Sequence, residues 1–116
     1  MYSVLVVDDE ARQREAVIKS VDWQGAGFNV VGDAENGIEA LEQLEKLEPD
    51  LILTDIKMPL MTGLELARKA REVRPATKLV ILSGYDDFEY AQEAFKYNVI
   101  RYLLKPISAQ ELGDEL

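Results

Sequence analysis

Apolar positions along this chain follow two periods that alternate from one end to the other. Five short runs are almost continuously apolar: Ser3 to Val7, Phe28 to Gly32, Leu51 to Thr54, Leu79 to Leu82 and Ile100 to Leu104. Each is too short for an amphipathic helix and lacks a polar face, so each predicts a strand covered on both sides. Between them the period lengthens. Glu10 to Val21 puts Ala11, Ala16 and Val17 near one stripe, Gly37 to Leu47 repeats Ile38, Leu41, Leu44 and Leu47, and Gly63 to Val73 carries Leu64, Leu66, Ala67 and Ala70. These spacings predict helices with one apolar face. Asp86-Asp87-Phe88-Glu89 reads as the capped start of a helix running to Tyr97, with Phe88, Ala91 and Phe95 toward the sheet and Tyr90, Ala94 and Tyr97 on a second stripe. Ser108-Ala109-Gln110-Glu111 fits a capping box before a last helix, expected to be cut short at Leu116.

Five strands alternating with helices imply a parallel sheet with right-handed crossovers and helices on both faces, a doubly wound α/β fold. In such sheets the ligand site lies beyond the carboxyl ends of the strands, where strand order reverses. No repeat, linker or low-complexity tract divides the chain, so 1–116 reads as one domain.

Composition narrows the chemistry. At 47% hydrophobic, 116 residues can build a proper core. Twenty-two acidic residues against 13 basic give a net charge of −9, which repels nucleic acid and anionic membrane alike. Without cysteine there are no disulfides, thiol nucleophiles or thiolate metal sites, in keeping with a reducing cytoplasm. Without histidine, serine–histidine hydrolysis and His-ligated zinc are excluded. Carboxylates, hydroxyls, lysine and a hard cation remain. No apolar run approaches the roughly 20 residues of a membrane helix, and Met1-Tyr2-Ser3 enters the first strand without a basic leader, so a soluble cytoplasmic protein is expected.

The strand ends carry a constellation. The first run closes on Asp8-Asp9, the third on Asp55, the fourth on Ser83 and the fifth on Lys105-Pro106. Singly, each has an ordinary reading as a helix cap, a turn or a solvated charge. Gathered at one sheet edge they do not, because like charges roughly 4 Å apart repel by about 4 kcal/mol at the effective dielectric near a protein surface. An all-oxygen ligand set favours Mg2+, which takes one or two carboxylates, keeps waters and accepts phosphoryl oxygens. Three aspartates, Mg2+ and Lys105 then sum to zero charge. Phosphorylating Asp55 would take that side chain from about −1 to nearly −2, and Ser83 and Lys105 would supply the added donors. A carboxylate is a competent nucleophile toward phosphorus, and what it needs is positioning and charge cancellation.

Val6-Val7-Asp8-Asp9-Glu10, Leu53-Thr54-Asp55-Ile56-Lys57-Met58-Pro59, Gly63, Leu82-Ser83-Gly84 and Tyr102-Leu103-Leu104-Lys105-Pro106 stand in an order and spacing that resembles the receiver domains of two-component response regulators. The resemblance covers nearly the whole chain. It implies a flavodoxin-like sheet of order 2-1-3-4-5 and a phospho-acceptor at Asp55. It further implies Mg2+ on Asp8, Asp9, Asp55 and the backbone carbonyl of Lys57, with Asp8 acting mostly through a metal-bound water. Lys105 would pair with the phosphoryl group, Ser83 would turn to hydrogen-bond it, and Tyr102 would swing in behind Ser83. The Lys105–Pro106 bond would be cis. Lys57 and Tyr85 would influence how water reaches the acyl phosphate, a bulky Tyr85 slowing hydrolysis. The implied partner is a sensor histidine kinase.

Val21-Asp22-Trp23 with Gly27-Phe28, and Ser83-Gly84-Tyr85-Asp86-Asp87-Phe88-Glu89-Tyr90-Ala91, further resemble the subgroup whose receivers precede an AraC-type helix-turn-helix output domain. That implies transcriptional control by a longer parent, through a domain these residues do not contain. If Ser83 and Tyr102 move on phosphorylation, the Asp86–Tyr97 helix, the fifth strand and the last helix form the surface that changes, and self-association through it is the expected output. Three other readings fare less well. An aspartate-nucleophile phosphatase would want an acid two positions after the nucleophile, where Lys57 stands; a nucleotide or flavin module would want a phosphate loop, and Gly25-Ala26-Gly27 precedes the second strand instead of following the first. A degenerate receiver used only for docking would not need the full pocket.

Overall fold

Val4, Leu5, Val6 and Val7 are all buried, and they alternate between two cores on opposite sides of one sheet. That alternation organises the molecule, whose computed structural model describes residues 1–84 and 88–116. The strands are β1 (Tyr2–Val7), β2 (Phe28–Ala34), β3 (Leu51–Thr54), β4 (Lys78–Ser83) and β5 (Val99–Leu104). The helices are α1 (Ala11–Ser20), α2 (Trp23–Ala26), α3 (Gly37–Leu47), α4 (Gly63–Val73), α5 (Phe88–Ala94) and α6 (Ala109–Glu115), and a 3-10 turn at Phe95–Tyr97 follows α5. All strand pairs are parallel, in the order β2-β1-β3-β4-β5. The doubly wound, flavodoxin-like fold expected from the sequence is therefore the one observed.

One core joins Leu5, Val7, Ile52, Leu79 and Ile81 of the sheet to Ala40 and Leu44 of α3, Leu66, Ala67 and Ala70 of α4, and Ala94 of α5. The other joins Val4, Val6, Leu53, Val80 and Leu82 to Trp23 and Leu112, with Val17 and Ile18 of α1 packed against them. Period-2 alternation thus feeds both layers from the same strands, and each fully buried Leu or Ile contributes about 1.5–3 kcal/mol. Helix starts are fixed by side-chain caps worth about 1 kcal/mol each. Asn36 Oδ1 accepts from the Glu39 amide at 2.8 Å, Thr62 Oγ1 from Glu65 at 3.1 Å, and Ser108 Oγ from Glu111 at 3.1 Å, the last as the capping-box pattern predicts.

Several local expectations are corrected. The α1 stripe does not run through Ala11 and Ala16, which are exposed; Val17 and Ile18 make the contact. On α3 the buried line is Gly37, Ala40 and Leu44, while Ile38 and Leu47 are exposed. Small residues win there because the helix lies close to Met61, whose sulfur would sit 2.6 Å from a Cβ on Gly37. Phe95, expected to face the sheet, is 53% exposed, whereas Ala94 is fully buried and Tyr97 packs against the core. The tightening from 3.6 to 3.0 residues per turn after Ala94 rotates the following side chains off the α-helical stripe. The expected cap at Asp86 and Asp87, and the side chain of Phe88, lie outside the described residues.

At the amino ends of the strands, one residue joins three of them, through its carboxylate on one side and its main chain on the other. Asp50 Oδ2 accepts from the Ser3 amide at 2.8 Å and from Ser3 Oγ at 3.2 Å, and the Asp50 carbonyl accepts from the Lys78 amide at 2.9 Å. The far edge of the sheet is built differently.

Candidate functional site

The chain steps from β1 outward to β2, then reverses to β3 on the other side of β1. The carboxyl tips of β1 and β3 therefore flank the switch point, where ligand sites of such sheets form. Asp8, Asp9 and Asp55 meet there, with one carboxylate oxygen from each lying within 4.8 Å of the others. Their settings differ: Asp8 is 7% exposed, Asp55 is partly buried and Asp9 is exposed.

Asp8 is held on every side. Its amide donates to the Ala34 carbonyl at 3.1 Å, extending the β1–β2 ladder, and its Oδ1 accepts from the Glu10 amide at 2.9 Å, which turns the chain into α1. Burial pushes the Asp8 carboxyl above its ordinary value; the Glu10 amide and Lys105 pull it down, while Asp55 and Asp9 add to the rise. This is a carboxylate kept partly out of water beside two others, a costly arrangement that a cation relieves.

Asp55 is fixed by a second set of bonds. Its Oδ1 accepts from the Ile56 amide at 2.7 Å, and its Oδ2 pairs with Lys105 Nζ at 3.0 Å. Gly63 closes the loop beneath: its amide donates to the Ile56 carbonyl at 2.7 Å, and a Cβ there would lie 2.9 Å from Ile56 Cα and collide with the Asp55 carbonyl. Only glycine permits this approach. Lys105 arrives from the tip of β5, its amide bonded to the Ser83 carbonyl at 2.7 Å, and the bond to Pro106 is cis.

Ser83 is fully buried at the tip of β4, and Tyr102 is half-buried against the core beside it on β5, where Ile81 is its registered neighbour. Lys57 is exposed in the loop after β3. Tyr85 lies outside the described residues. The candidates Asp8, Asp9, Asp55, Ser83 and Lys105 thus all stand at the carboxyl edge of the sheet. Donors suited to a hard cation are present as a carboxylate trio, with no nitrogen or sulfur ligand among them.

Two neighbours escaped the sequence reading. Gln13 Oε1 accepts from Lys105 Nζ at 3.1 Å, and Arg14 donates from Nη1 to the Asp8 carbonyl at 2.7 Å and from Nε to Asp33 Oδ2 at 2.8 Å. Their only sequence signal was position on the first turn of the helix that follows the acidic loop.

Such a sheet, bearing an acidic trio and one lysine at its switch point, defines a class of small acid-pocket α/β domains. Residues 4–116 match the response regulator receiver domain, and the chain belongs to that family. It is 42% identical over its whole length to an uncharacterized transcriptional regulatory protein, YesN, of Bacillus subtilis strain 168, and covers 32% of that protein. It is 43% identical to the REC domain of AraT, a response regulator from Geobacillus stearothermophilus, with a TM-score of 0.88 over 98% of this chain and 88% of that one. A two component transcriptional regulator AraC from Clostridium phytofermentans ISDg is 36% identical, with a TM-score of 0.89 over 100% and 90% of the respective chains. These likenesses agree with the finer AraC-type cues in the sequence. The chain spans between about a third and under half of the length of the curated relatives it matches. Among the described residues no helix is long and apolar enough to cross a membrane.

Proposed function

We propose that this domain is a phosphorylation-dependent switch in which Asp55 accepts a phosphoryl group from a sensor histidine kinase. The observation behind this reading is the convergence of Asp8, Asp9 and Asp55 within 4.8 Å, with Lys105 Nζ 3.0 Å from Asp55. Asp8, Asp9, Asp55 and the backbone carbonyl of Lys57 would hold Mg2+. When bound, that ion offsets charge on the phosphoryl oxygens and on the carboxylates.

The chain's own residues do the rest. The Ile56 amide fixes one oxygen of Asp55 and leaves Oδ2 on the Lys105 side as the nucleophile. As the Asp55 oxygen bonds to phosphorus, the phosphorus–nitrogen bond to the kinase histidine breaks and the imidazole leaves with the kinase. The Lys105 ammonium meanwhile shifts its ion pair from that carboxylate to a phosphoryl oxygen, so the charge it stabilises grows as transfer proceeds. Ser83 supplies a hydroxyl donor from the neighbouring strand tip, and Tyr102 moves inward with it. Apart from its own phosphorylation and dephosphorylation the domain catalyses nothing; it is a signalling domain.

In this reading residues 1–116 form the receiver unit of a longer transcriptional regulator whose AraC-type output domain contacts DNA, and the setting is cytoplasmic. A second copy is the proposed partner of the α5, β5 and α6 face. Tyr90, Phe95, Ile100 and Leu104 are exposed there, whereas Ala94 and Tyr97, expected on one stripe with Tyr90, pack inward. The chemistry is tested by incubating the domain with Mg2+ and a small phosphodonor and measuring intact mass. One added phosphoryl group in the parent, and none in Asp55→Asn, is expected; equal labelling of both would refute Asp55 as acceptor. Repeated turnover of a phosphomonoester would instead indicate a phosphatase.

A further inference from the structure

The Asp8 main chain ends in a contact that the phosphoryl chemistry does not require. Its carbonyl accepts from Arg14 Nη1 at 2.7 Å. Arg14 is in turn anchored by Asp33 Oδ2 at 2.8 Å from Nε, and only 15% of the arginine side chain is exposed. The anchor is itself held in place, because Gln43 of α3 donates to the Asp33 carbonyl at 2.6 Å. One guanidinium therefore ties the tip of β1 to the end of β2, using two edges of its fork on two different acceptors.

We propose that Arg14 is a positioning residue for the acidic loop: anchored on Asp33, it holds the Asp8 carbonyl and so sets the direction in which Asp9 enters the cation pocket. The carbonyl of Asp8 defines the plane of the peptide that leads into Asp9. Asp8 has its own restraints in the Ala34 carbonyl and the Glu10 amide. Asp9 is exposed, so the peptide that carries it does most of the aiming. Partners that orient a metal ligand without touching the ion commonly govern affinity by about ten- to a hundredfold. The inference rests on the reading of Asp8, Asp9 and Asp55 as the Mg2+ site.

Electrostatics alone predicts the opposite sign, which makes the idea testable. Removing a positive charge beside a cation site should tighten Mg2+ binding; removing a brace should loosen it. Magnesium chloride alone is titrated calorimetrically into the parent, Arg14→Met, Arg14→Lys, Asp33→Ala and the Arg14→Met/Asp33→Ala pair, with thermal melts showing which chains stay cooperatively folded. Arg14→Met, which keeps the apolar stem, is expected to weaken Mg2+ about tenfold. Arg14→Lys should not recover it, since an ammonium cannot span both acceptors, and Asp33→Ala should show part of the loss and add little to Arg14→Met. Parent-like or tighter binding in Arg14→Met, or full recovery in Arg14→Lys, overturns the proposal. If Arg14→Met does not fold, parent-like affinity in both Arg14→Lys and Asp33→Ala overturns it as well. A parent that gives no Mg2+ heat, or gives the same heat with Asp9→Asn, sinks the cation site itself and the brace with it, whereas intact parent binding with unaffected variants sinks the brace alone.

Discussion

Replacing Asp8 by Asn should stabilise the metal-free domain while impairing its response to Mg2+. The substitution keeps an oxygen to accept from the Glu10 amide, now at 2.9 Å, and removes a charge from a side chain only 7% exposed. It also removes repulsion with Asp55 and Asp9, whose carboxylates lie within 4.8 Å. A unit pair at that separation repels by about 3.5 kcal/mol at an effective dielectric of roughly 20. Exposure of Asp9 weakens its share, and the lost attraction to Lys105 offsets much of the remainder, leaving a net gain of about 1–2 kcal/mol. For a chain of this length that is a rise of roughly 4–8 °C in Tm. The assay is a thermal melt in chelator at low salt, repeated in excess Mg2+, where ligand binding should stabilise the parent more than the variant. Acidity supplies a second axis. Because burial raises the Asp8 carboxyl above 3.8 in the native state, the folded protein binds a proton there that the unfolded chain has already lost. The parent therefore gains stability from this group as pH falls through the native value, with the gain complete below the unfolded one. The advantage of Asn should be largest near neutrality and shrink on acidification. An Asp8→Asn chain that melts below the parent in chelator at pH 7, or a difference that widens toward acid, would refute the reasoning.

Other substitutions test the supporting structure. Gly63→Ala places a methyl 2.9 Å from Ile56 Cα and against the Asp55 carbonyl, so it should cost about 1–3 kcal/mol by denaturant melt and reduce phosphoryl uptake with it; wild-type behaviour would deny the close packing. Ser108→Ala removes the cap on the Glu111 amide and should cost about 1 kcal/mol by the same measurement, with labelling of Asp55 intact. Phe95→Ser, at an exposed position, should leave the melt unchanged but weaken phosphorylation-dependent self-association in sedimentation runs; unaltered dimerisation would move the partner face elsewhere.

How much of this was legible beforehand depended on how local each signal was. β3 was read to the residue, because all of Leu51 to Thr54 is buried and a central strand leaves no ambiguity of face. β2 extends two residues beyond its expected end at Gly32. It is an edge strand with mostly half-buried positions, so the polar Asp33 falls outside an apolar run although it belongs to the strand. The four residues of α2 are shorter than any helical period can reveal, although Trp23 is buried with Nε1 donating to the Ile18 carbonyl at 3.0 Å. The phase errors have separate causes: on α1 the larger Val17 and Ile18 outreach Ala11 and Ala16, on α3 the close approach of Met61 puts Gly37 on the buried line, and after α5 the 3-10 turn shifts the stripe. The acidic trio and Lys105 were visible from strand ends alone. Gln13 and Arg14 were not, since their partners Lys105 and Asp33 lie 92 and 19 residues away and nothing nearby in the chain marks the pairing.

The Asp50 junction gives the sheet two unequal ends. Ser3, Asp50 and Lys78 lock the starts of β1, β3 and β4 together, so relative sliding of these strands is resisted at their base. The opposite rim is where three negative charges and one lysine leave the finest electrostatic balance. In the proposed switch, a rearrangement at that rim would therefore have the Ser3–Asp50–Lys78 base as its fixed end.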